Sequence, residues 1–177
     1  EDDLVLIDAG CEFEYYAADV TRTYPANGRY SQAQRALYDI VLRANRAAID
    51  ACCPGVDFNQ PHYIATKILV EGLITLGLLT GSADALIASG AHKKFCPHKT
   101  SHWLGLDVHD VGDYQLGERW RDLMPGMVLT VEPGIYIPRD ASTVDILDAY
   151  RGIGIRIEDA VLICEHGCQV LTEDLIK

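Results

Sequence analysis

The chain has 177 residues, of which 49% are hydrophobic and 23% are charged, and its formal net charge is −11. This length fits one domain or a large part of one, and the balance of apolar and charged residues predicts a buried core. No apolar run reaches the roughly eighteen residues of a membrane span, and no basic face suggests nucleic-acid binding. The start, Glu1-Asp2-Asp3, is acidic and therefore unlike a secretory signal.

The acidity and the cysteines limit the kinds of site to expect. The negative charge fits a solvated surface, and it also fits carboxylates gathered around a cation; the two interpretations are compatible. The cysteines form no C-x-x-C pair, which argues against a structural zinc site. We expect reduced thiols in a cytosolic type of compartment. The six are Cys11, Cys52, Cys53, Cys96, Cys164 and Cys168.

The first predicted elements are two extended segments. Leu4–Ile7 is an apolar run with β character that ends at Asp8-Ala9-Gly10, and a segment rich in Tyr, Val and Thr follows from Glu12 to Tyr24. Two such runs around a glycine predict an antiparallel pair. A complete domain seldom starts directly on a buried strand, so we expect the domain to extend upstream of this sequence.

Helices are predicted next. Ser31 and Gln34 fit a capping box at the start of a first helix, which Pro54-Gly55 should end. A second helix should begin near Asn59, with Pro61 in its first turn, and a short third one should cover residues 83–88. The predicted inner face of the second helix consists of Ile64, Ile68, Leu69, Leu73 and Leu76.

The rest of the chain is predicted to be mainly strands and loops. Met127–Glu132 and Ile153–Ile163 each have the pattern of a strand, and a polar loop from Pro138 to Tyr150 lies between them. Strands, then helices, then strands indicate an α+β fold.

Several ionisable residues stand beside apolar neighbours in these elements. Burying an unpaired carboxylate is costly, so such groups need a cation or a hydrogen-bond network. Each carboxylate has a simpler interpretation as a strand-end group that faces solvent, and the histidine has one as a hydrogen-bonded core residue. Their spacing alone does not show that they converge. The candidate metal ligands are Asp8, Asp19, His102, Glu132 and Glu158.

Four blocks in order resemble the catalytic domain of the aminopeptidase P family. They are Asp8-Ala-Gly10 with Asp19-Val-Thr-Arg-Thr23, His102-Trp-Leu-Gly-Leu-Asp-Val-His109-Asp110, Pro125-Gly-Met-Val-Leu-Thr-Val-Glu132-Pro-Gly-Ile-Tyr136, and Arg151-Gly-Ile-Gly-Ile-Arg156-Ile-Glu158-Asp159. The resemblance covers nearly the whole chain. It implies the pita-bread fold, a curved and mostly antiparallel sheet covered by helices, which prolidase, methionine aminopeptidase and creatinase share.

The resemblance also implies a dinuclear metal site. Asp8 would bind one ion, Asp19 and Glu158 would bridge both, and His102 and Glu132 would complete the other site. This oxygen-rich set of ligands favours two Mn²⁺ ions. A metal-bridged hydroxide would be the nucleophile of a peptidase that removes the residue before proline.

Further residues receive roles by the same resemblance. His109 would stabilise the oxyanion, Glu132 would transfer a proton to the leaving nitrogen, and Arg156 would orient a bridging carboxylate. His98 and Tyr136 would contact substrate. Each of these residues also has a simpler interpretation. His109 would be a structural histidine bonded to Asp110, and Arg156 an exposed arginine on a strand. His98 would be a loop histidine, and Tyr136 a packing aromatic. His62, His92 and His166 match no motif.

The family pattern extends beyond this sequence. Its members have a separate N-terminal domain, and their catalytic domain has elements ahead of the position that matches Asp8, including another active-site histidine. We therefore expect residues 1–177 to be a C-terminal catalytic domain that is incomplete on its N-terminal side, and expect homo-oligomer contacts to involve the missing part.

Three functions compete. The first is an Xaa-Pro aminopeptidase, the second is an Xaa-Pro dipeptidase (prolidase) with the same metal site, and the third is a non-catalytic pita-bread module that binds peptides or histones. Modules of the third kind usually lose metal ligands, whereas all five are present here. The expected partners are peptides with proline in second position, not nucleic acid or membranes, and the expected location is the cytoplasm or the mitochondrial matrix.

Overall fold

The computed structural model describes residues 2–140 and 148–177. Most of the predicted polar loop, residues 141–147, lies outside the described residues. The helices are α1 (Gln32–Asp50), α2 (Gln60–Thr75) and α3 (Ala83–Ala88), with 3-10 turns at Ala91–Lys94 and Asp148–Tyr150. The strands are β1 (Leu4–Ala9), β2 (Glu12–Phe13), β3 (Tyr16–Ala17), β4 (Val20–Pro25), β5 (Gln115–Leu116), β6 (Arg119–Trp120), β7 (Val128–Val131), β8 (Gly134–Tyr136), β9 (Gly154–Arg156), β10 (Asp159–Ile163) and β11 (Cys168–Val170).

The predicted antiparallel pair at the start of the chain is confirmed between β1 and β4, in a register that sets Asp8 opposite Thr21. The second extended segment is not one strand, however, because the short hairpin of β2 and β3 interrupts it. Glu14 and Tyr15 form the two-residue turn of this hairpin, at φ of 50° and 73°. Such turns need positive φ at both central positions, so the tight turn is made here without glycine.

The capping box at the start of α1 is confirmed. The Gln34 backbone N–H donates to the Ser31 hydroxyl, and the Ser31 backbone N–H donates to the Gln34 side chain. The predicted end at Pro54-Gly55 was late, because α1 stops at Asp50. The next residues form tight turns instead, in which the Cys52 N–H donates to the carbonyl of Ile49.

Helix α2 begins one residue after Asn59, as predicted, but its buried face differs from the predicted one. Ile64, Ile68 and Leu76 are only half-buried. Small residues allow α2 to lie close to α1: a Cβ on Gly72 would come within 2.6 Å of the Ile40 side chain. The buried residues are Pro61, Ala65, Thr66, Leu69, Val70, Gly72 and Leu73. The short helix α3 matches its predicted bounds.

The predicted single strand from Ile153 to Ile163 was wrong. Its first part, β9, pairs with β8, while its second part, β10, lies between β7 and β11 in a three-stranded antiparallel sheet. Between them the Ile157 N–H donates to the carbonyl of Pro133, and the Glu158 N–H donates to the carbonyl of Thr21. The change of partner joins the backbone of Glu158 to β4.

Helices and strands share one apolar core, so the α+β prediction is confirmed. Helix α1 contacts β7, β8, β9 and β11, and it also packs against α2. All strand pairs in the described part of the chain are antiparallel. No helix among the described residues is long and apolar enough to cross a membrane. Large core side chains include Leu37, Val41, Leu129, Ile135 and Ile155.

Candidate metal centre

Three predicted ligands from distant parts of the sequence converge. One ligand atom from each of Asp19, His102 and Glu158 lies within 4.8 Å of the other two. Asp19 precedes β4, His102 lies in the segment that runs beside β7, and Glu158 occupies the joint between β9 and β10. Glu158 is 1% exposed and Asp19 is 8% exposed, so their charges have little access to water.

His102 is oriented as a ligand. Its Nδ1 lies 2.9 Å from the carbonyl oxygen of Trp103, an acceptor, and this fixes the ring proton on Nδ1. Nε2 then faces the carboxylates of Asp19 and Glu132, each 3.4 Å away. Backbone hydrogen bonds from Thr130 and Glu132 to the carbonyls of His102 and Thr100 hold this segment against β7.

Asp8 lies at the rim of the cluster. Its side chain is 52% exposed and is paired with the guanidinium of Arg156. It stands opposite Thr21 on the paired strands, so both side chains point to the same face of the sheet. Burial raises the pKa of Asp19, and the nearby negative charge of Asp8 raises it further.

The cluster has an excess of negative charge. Burial raises the pKa of Glu158 to about 8, and the carboxylates of Glu132, Asp19 and Asp8 add to this effect. Burial also raises the pKa of Glu132, against the opposing charges of His98 and Arg156. A cation would stabilise buried carboxylates in this arrangement. Carboxylate oxygens and one imidazole nitrogen are ligands for a divalent metal ion, so the residues fit such a group.

A chain of hydrogen bonds leads from Glu158 to the cavity beside the cluster. The hydroxyl of Thr21 donates to Glu158 Oε2 over 2.6 Å and accepts from Arg156 Nε over 3.1 Å. Arg156 Nη1 donates to the hydroxyl of Tyr136 over 3.1 Å, and His98 Nε2 lies 2.8 Å from that hydroxyl. Arg156 therefore pairs directly with Asp8 and reaches the carboxylate of Glu158 only through Thr21.

His109 is exposed and lies beside the cluster, with its ring centroid 4.3 Å from that of His102. Within residues 2–140 and 148–177, no hydrogen bond joins His109 to Asp110; the Asp110 carboxylate accepts the Asp107 backbone N–H instead. The imidazole of His109 is thus available to a bound molecule.

A cavity of about 390 Å³ opens between His102, Glu132 and an aromatic wall that includes Phe58 and Trp120. His62 also lines it, with Nδ1 2.9 Å from the Thr100 hydroxyl. Burial lowers the pKa of His62 to about 4, so this histidine is neutral near pH 7.

Sequence reasoning gave no role to two residues of this region. His62 matches no motif, and only the folded position of α2 brings it to the cavity. Thr21 could have been found, because it lies two residues after Asp19 on an extended segment. Side chains two apart on a strand point to the same face, which predicts that Thr21 joins the cluster.

Comparisons with known proteins agree with this geometry. The model of metallopeptidase family M24 matches residues 1–165. The chain is 53% identical to the Xaa-Pro aminopeptidase of Escherichia coli and 40% identical to the human Xaa-Pro dipeptidase, covering 99% and 96% of this chain. The structure of Pseudomonas aeruginosa aminopeptidase PepP superposes with a TM-score of 0.96 at 53% identity, over 99% of this chain and 39% of that one.

The chain belongs to metallopeptidase family M24, and its fold is the pita-bread fold of that family. Membership in a metallopeptidase family implies divalent metal ions, in agreement with the cluster of Asp19, His102 and Glu158. The chain spans 39% of the Escherichia coli relative and 40% of the human one. The activity of those longer proteins is therefore a proposal for this chain.

Proposed function

We propose that this chain is the metal-binding part of an Xaa-Pro aminopeptidase, which removes the N-terminal residue from peptides with proline in second position. The observation that carries the proposal is the convergence of Asp19, His102 and Glu158 in a site with excess negative charge. The similarity to bacterial Xaa-Pro aminopeptidases supports it. Residues 1–177 would form part of the C-terminal catalytic domain of this peptidase.

Two divalent ions, Mn²⁺ by preference, would be held by Asp8, Asp19, His102, Glu132 and Glu158. Four of these ligands are carboxylates, and hard oxygen ligands favour Mn²⁺ over the thiolate sites typical of zinc. When bound, such ions lower the pKa of water and stabilise negative charge on a carbonyl oxygen. Arg156 would hold Asp8 in place, and Thr21 would direct the carboxylate of Glu158.

Two residues would assist proton transfer and charge stabilisation. Glu132 lies at the cavity with a pKa raised by burial, which suits a carboxyl that accepts a proton and returns it to the leaving nitrogen. His109 is exposed beside His102 and would donate a hydrogen bond to the carbonyl oxygen as it gains negative charge.

His98 and Tyr136 would contact the substrate. Their rings meet edge to face with centroids 5.4 Å apart, and the His98 imidazole also lines the cavity. Because Tyr136 accepts a hydrogen bond from Arg156, its ring has a fixed orientation. A fixed aromatic surface next to a hydrogen-bonding imidazole suits the ring and carbonyl of a proline residue.

An Xaa-Pro dipeptidase is the second candidate, favoured by the 40% identity to the human dipeptidase. The two activities share the metal site and differ in substrate length. A non-catalytic binding module is disfavoured, because all five ligand positions are occupied by metal-binding side chains.

Peptide hydrolysis separates these functions. The complete protein is assayed with an Xaa-Pro-Xaa tripeptide and an Xaa-Pro dipeptide in the presence of Mn²⁺, before and after chelation. Chelator-sensitive cleavage of the tripeptide supports the aminopeptidase, and cleavage of the dipeptide alone supports the dipeptidase. Absence of cleavage, together with Mn²⁺-independent binding of peptides by Asp19→Ala, would support the binding module.

Two further properties belong to the same proposal. All six cysteines are free, which suits the reducing cytoplasm or mitochondrial matrix. A homo-oligomer is proposed from the family resemblance, and light scattering of the complete protein would test it.

A further inference from the structure

Behind the metal-binding face, one buried arginine connects the segments that carry two of the ligands. Arg22 is 5% exposed and follows Thr21 on β4, so its side chain points to the opposite face of the strand. Its Nη1 donates to the backbone carbonyl of Thr21 over 3.0 Å and to that of Glu158 over 2.5 Å. One guanidinium thus ties the strand after Asp19 to the residue that supplies the other buried carboxylate.

The remaining donors of Arg22 are also used. Nη2 donates to Asp159 Oδ1 over 2.9 Å and to the carbonyl of Leu175 over 3.1 Å, and Nε donates to the carbonyl of Ile176 over 3.2 Å. The segment from Thr172 to Lys177 therefore covers the guanidinium. The planar guanidinium of arginine presents five donors in a fixed geometry, whereas the ammonium of lysine has three and cannot reach all of these acceptors from one position.

Asp159 is fully buried and is the centre of this arrangement. Besides Arg22, it accepts hydrogen bonds from the Thr172 hydroxyl over 2.8 Å, from Asn45 Nδ2 over 3.1 Å and from Lys177 Nζ over 2.6 Å. Two cationic and two neutral donors satisfy one carboxylate. Because it directly follows Glu158, a displacement of Asp159 would displace the ligand as well.

We propose that Arg22 and Asp159, covered by the segment Thr172–Lys177, are positioning residues that set the separation of Asp19 and Glu158 for divalent cations. The inference rests on the proposed metal centre. Neither side chain contacts a carboxylate or imidazole of the cluster: Arg22 acts through the backbone carbonyls of Thr21 and Glu158, and Asp159 acts by fixing Arg22. The C-terminal segment then contributes to cation affinity without supplying a ligand.

Cation affinity of the folded protein tests the proposal. In the complete protein, Arg22→Lys keeps the charge but loses the fork that spans Glu158 and Asp159, and Thr172→Val removes one hydrogen bond to Asp159. Affinity for Mn²⁺ is measured by calorimetry well below the unfolding temperature, and the visible spectrum with Co²⁺ reports the ligand geometry. Arg35→Lys is the matched control, since Arg35 forms an exposed ion pair with Asp39.

We expect Arg22→Lys to weaken Mn²⁺ binding by about 10- to 100-fold, the usual effect of residues that orient ligands, and to alter the Co²⁺ spectrum. Thr172→Val should weaken binding less, and Arg35→Lys should bind as the unaltered protein does. The inference is overturned if Arg22→Lys lowers only the unfolding temperature and leaves the Mn²⁺ affinity and the Co²⁺ spectrum unchanged. The hydrogen bonds of Arg22 and Asp159 would then have a structural role alone.

The variants also separate this inference from the proposed function. An unaltered protein that binds no Mn²⁺ would overturn both. An unaltered protein that binds Mn²⁺ and cleaves peptide, with variants of equal affinity, would overturn the inference alone. Should Arg22→Lys fail to fold, Thr172→Val decides: weaker Mn²⁺ binding supports the inference, and unchanged binding overturns it.

Discussion

Glu158 and Asp159 are adjacent acidic residues, both buried, and their surroundings are opposite. Around Asp159, the chain provides two cations and two neutral donors. Around Glu158, it provides the hydroxyl of Thr21 and further carboxylates. Burial would raise the pKa of both groups. Hydrogen bonds and charges from Lys177, Thr172 and Arg22 hold the pKa of Asp159 below its usual range, whereas that of Glu158 rises to about 8.

The contrast distinguishes a structural charge from a functional one. Asp159 is neutralised within the chain and contributes to the fold. Glu158 forms no direct ion pair with a cationic side chain among the described residues and lies in a cluster that fits a divalent ion. Buried charges without a partner are costly, so the fold retains this group at the expense of stability. Changes at the two positions should therefore have opposite effects on the metal-free protein.

The largest expected effect comes from Glu158→Gln. Glu158 is a ligand in the proposed metal centre, so its loss should weaken Mn²⁺ binding by more than the roughly 100-fold that changes at ligand-orienting residues cause, and should abolish the proposed hydrolysis. Above about pH 8, where Glu158 is ionised, the metal-free variant should unfold at an equal or higher temperature, because a buried charge is gone. Thermal unfolding with chelator and with Mn²⁺ measures both effects.

Asp159→Asn is the matched comparison for Glu158→Gln, since both replace a carboxylate by an amide of the same shape. It leaves the cations of Arg22 and Lys177 without their partner, so the metal-free protein should lose about 3–5 kcal/mol of stability. A metal-free Glu158→Gln protein that is destabilised as strongly would contradict the distinction between the two carboxylates.

A smaller effect is expected from Thr21→Val. This change removes the hydroxyl that donates to Glu158 and accepts from Arg156, while the shape of the side chain is kept. Mn²⁺ affinity should fall about tenfold, at the low end for residues that orient ligands. Thr21→Ser retains the hydroxyl and should bind Mn²⁺ normally. Equal affinities of the Val and Ser variants would exclude an orienting role for the hydroxyl.

Sequence patterns anticipated the parts of the fold that depend on local chemistry. The capping box of Ser31 and Gln34 and the proline in the first turn of α2 located helix starts to within a residue. The end of α1 and the division of residues 153–163 into two strands were missed. These features depend on which distant segment supplies the hydrogen-bonding partner of the backbone. The Glu158 N–H, for example, donates to the carbonyl of Thr21 on β4.

The sequence indicated candidate members of the site but not their geometry. Family resemblance proposed five ligand positions, and the fold brings three of them, Asp19, His102 and Glu158, together. The pairing of Arg156 with Asp8 required the register of β1 and β4, which periodicity does not give. Arg22 and Asp159 lie within the quoted motifs, yet only the folded chain shows that they bind each other.

The pH dependence of metal-free stability sharpens the contrast without any substitution. The folded pKa of Glu158, about 8, lies above its ordinary value of 4.5. The folded state therefore binds a proton that the unfolded state releases, and stability is lost as pH rises from 4.5 to about 8. The folded pKa of His62, about 4, lies below its ordinary value, so stability is lost as pH falls from 6.5 towards 4.

Between about pH 4.5 and 6.5 these two effects oppose each other. Stability of the metal-free protein should therefore decline mainly between about pH 6.5 and 8, by at most about 1.4 kcal/mol per pH unit for each titrating carboxyl. Urea unfolding with chelator at a series of pH values measures the slope. The decline should be reduced in Glu158→Gln and should be offset by Mn²⁺, which binds the ionised carboxylates. A slope that is the same in Glu158→Gln would assign the decline to other groups.

The smallest effect on the site is expected from a change in the helices. In Gly72→Ala, the new Cβ would lie 2.6–2.8 Å from three side-chain atoms of Ile40, between α1 and α2. Overpacking should cost about 1–3 kcal/mol, partly offset by about 1 kcal/mol from the better helix propensity of alanine. Mn²⁺ affinity of the folded protein should not change, because the ligands are held by strands and by Arg22 rather than by this contact.

Ile40→Val in the same protein removes Cδ1, one of the three contacts, and should restore part of the stability. A tenfold loss of Mn²⁺ affinity in Gly72→Ala would show that helix packing controls the ligand positions, and the local positioning argued for Arg22 and Asp159 would then be insufficient.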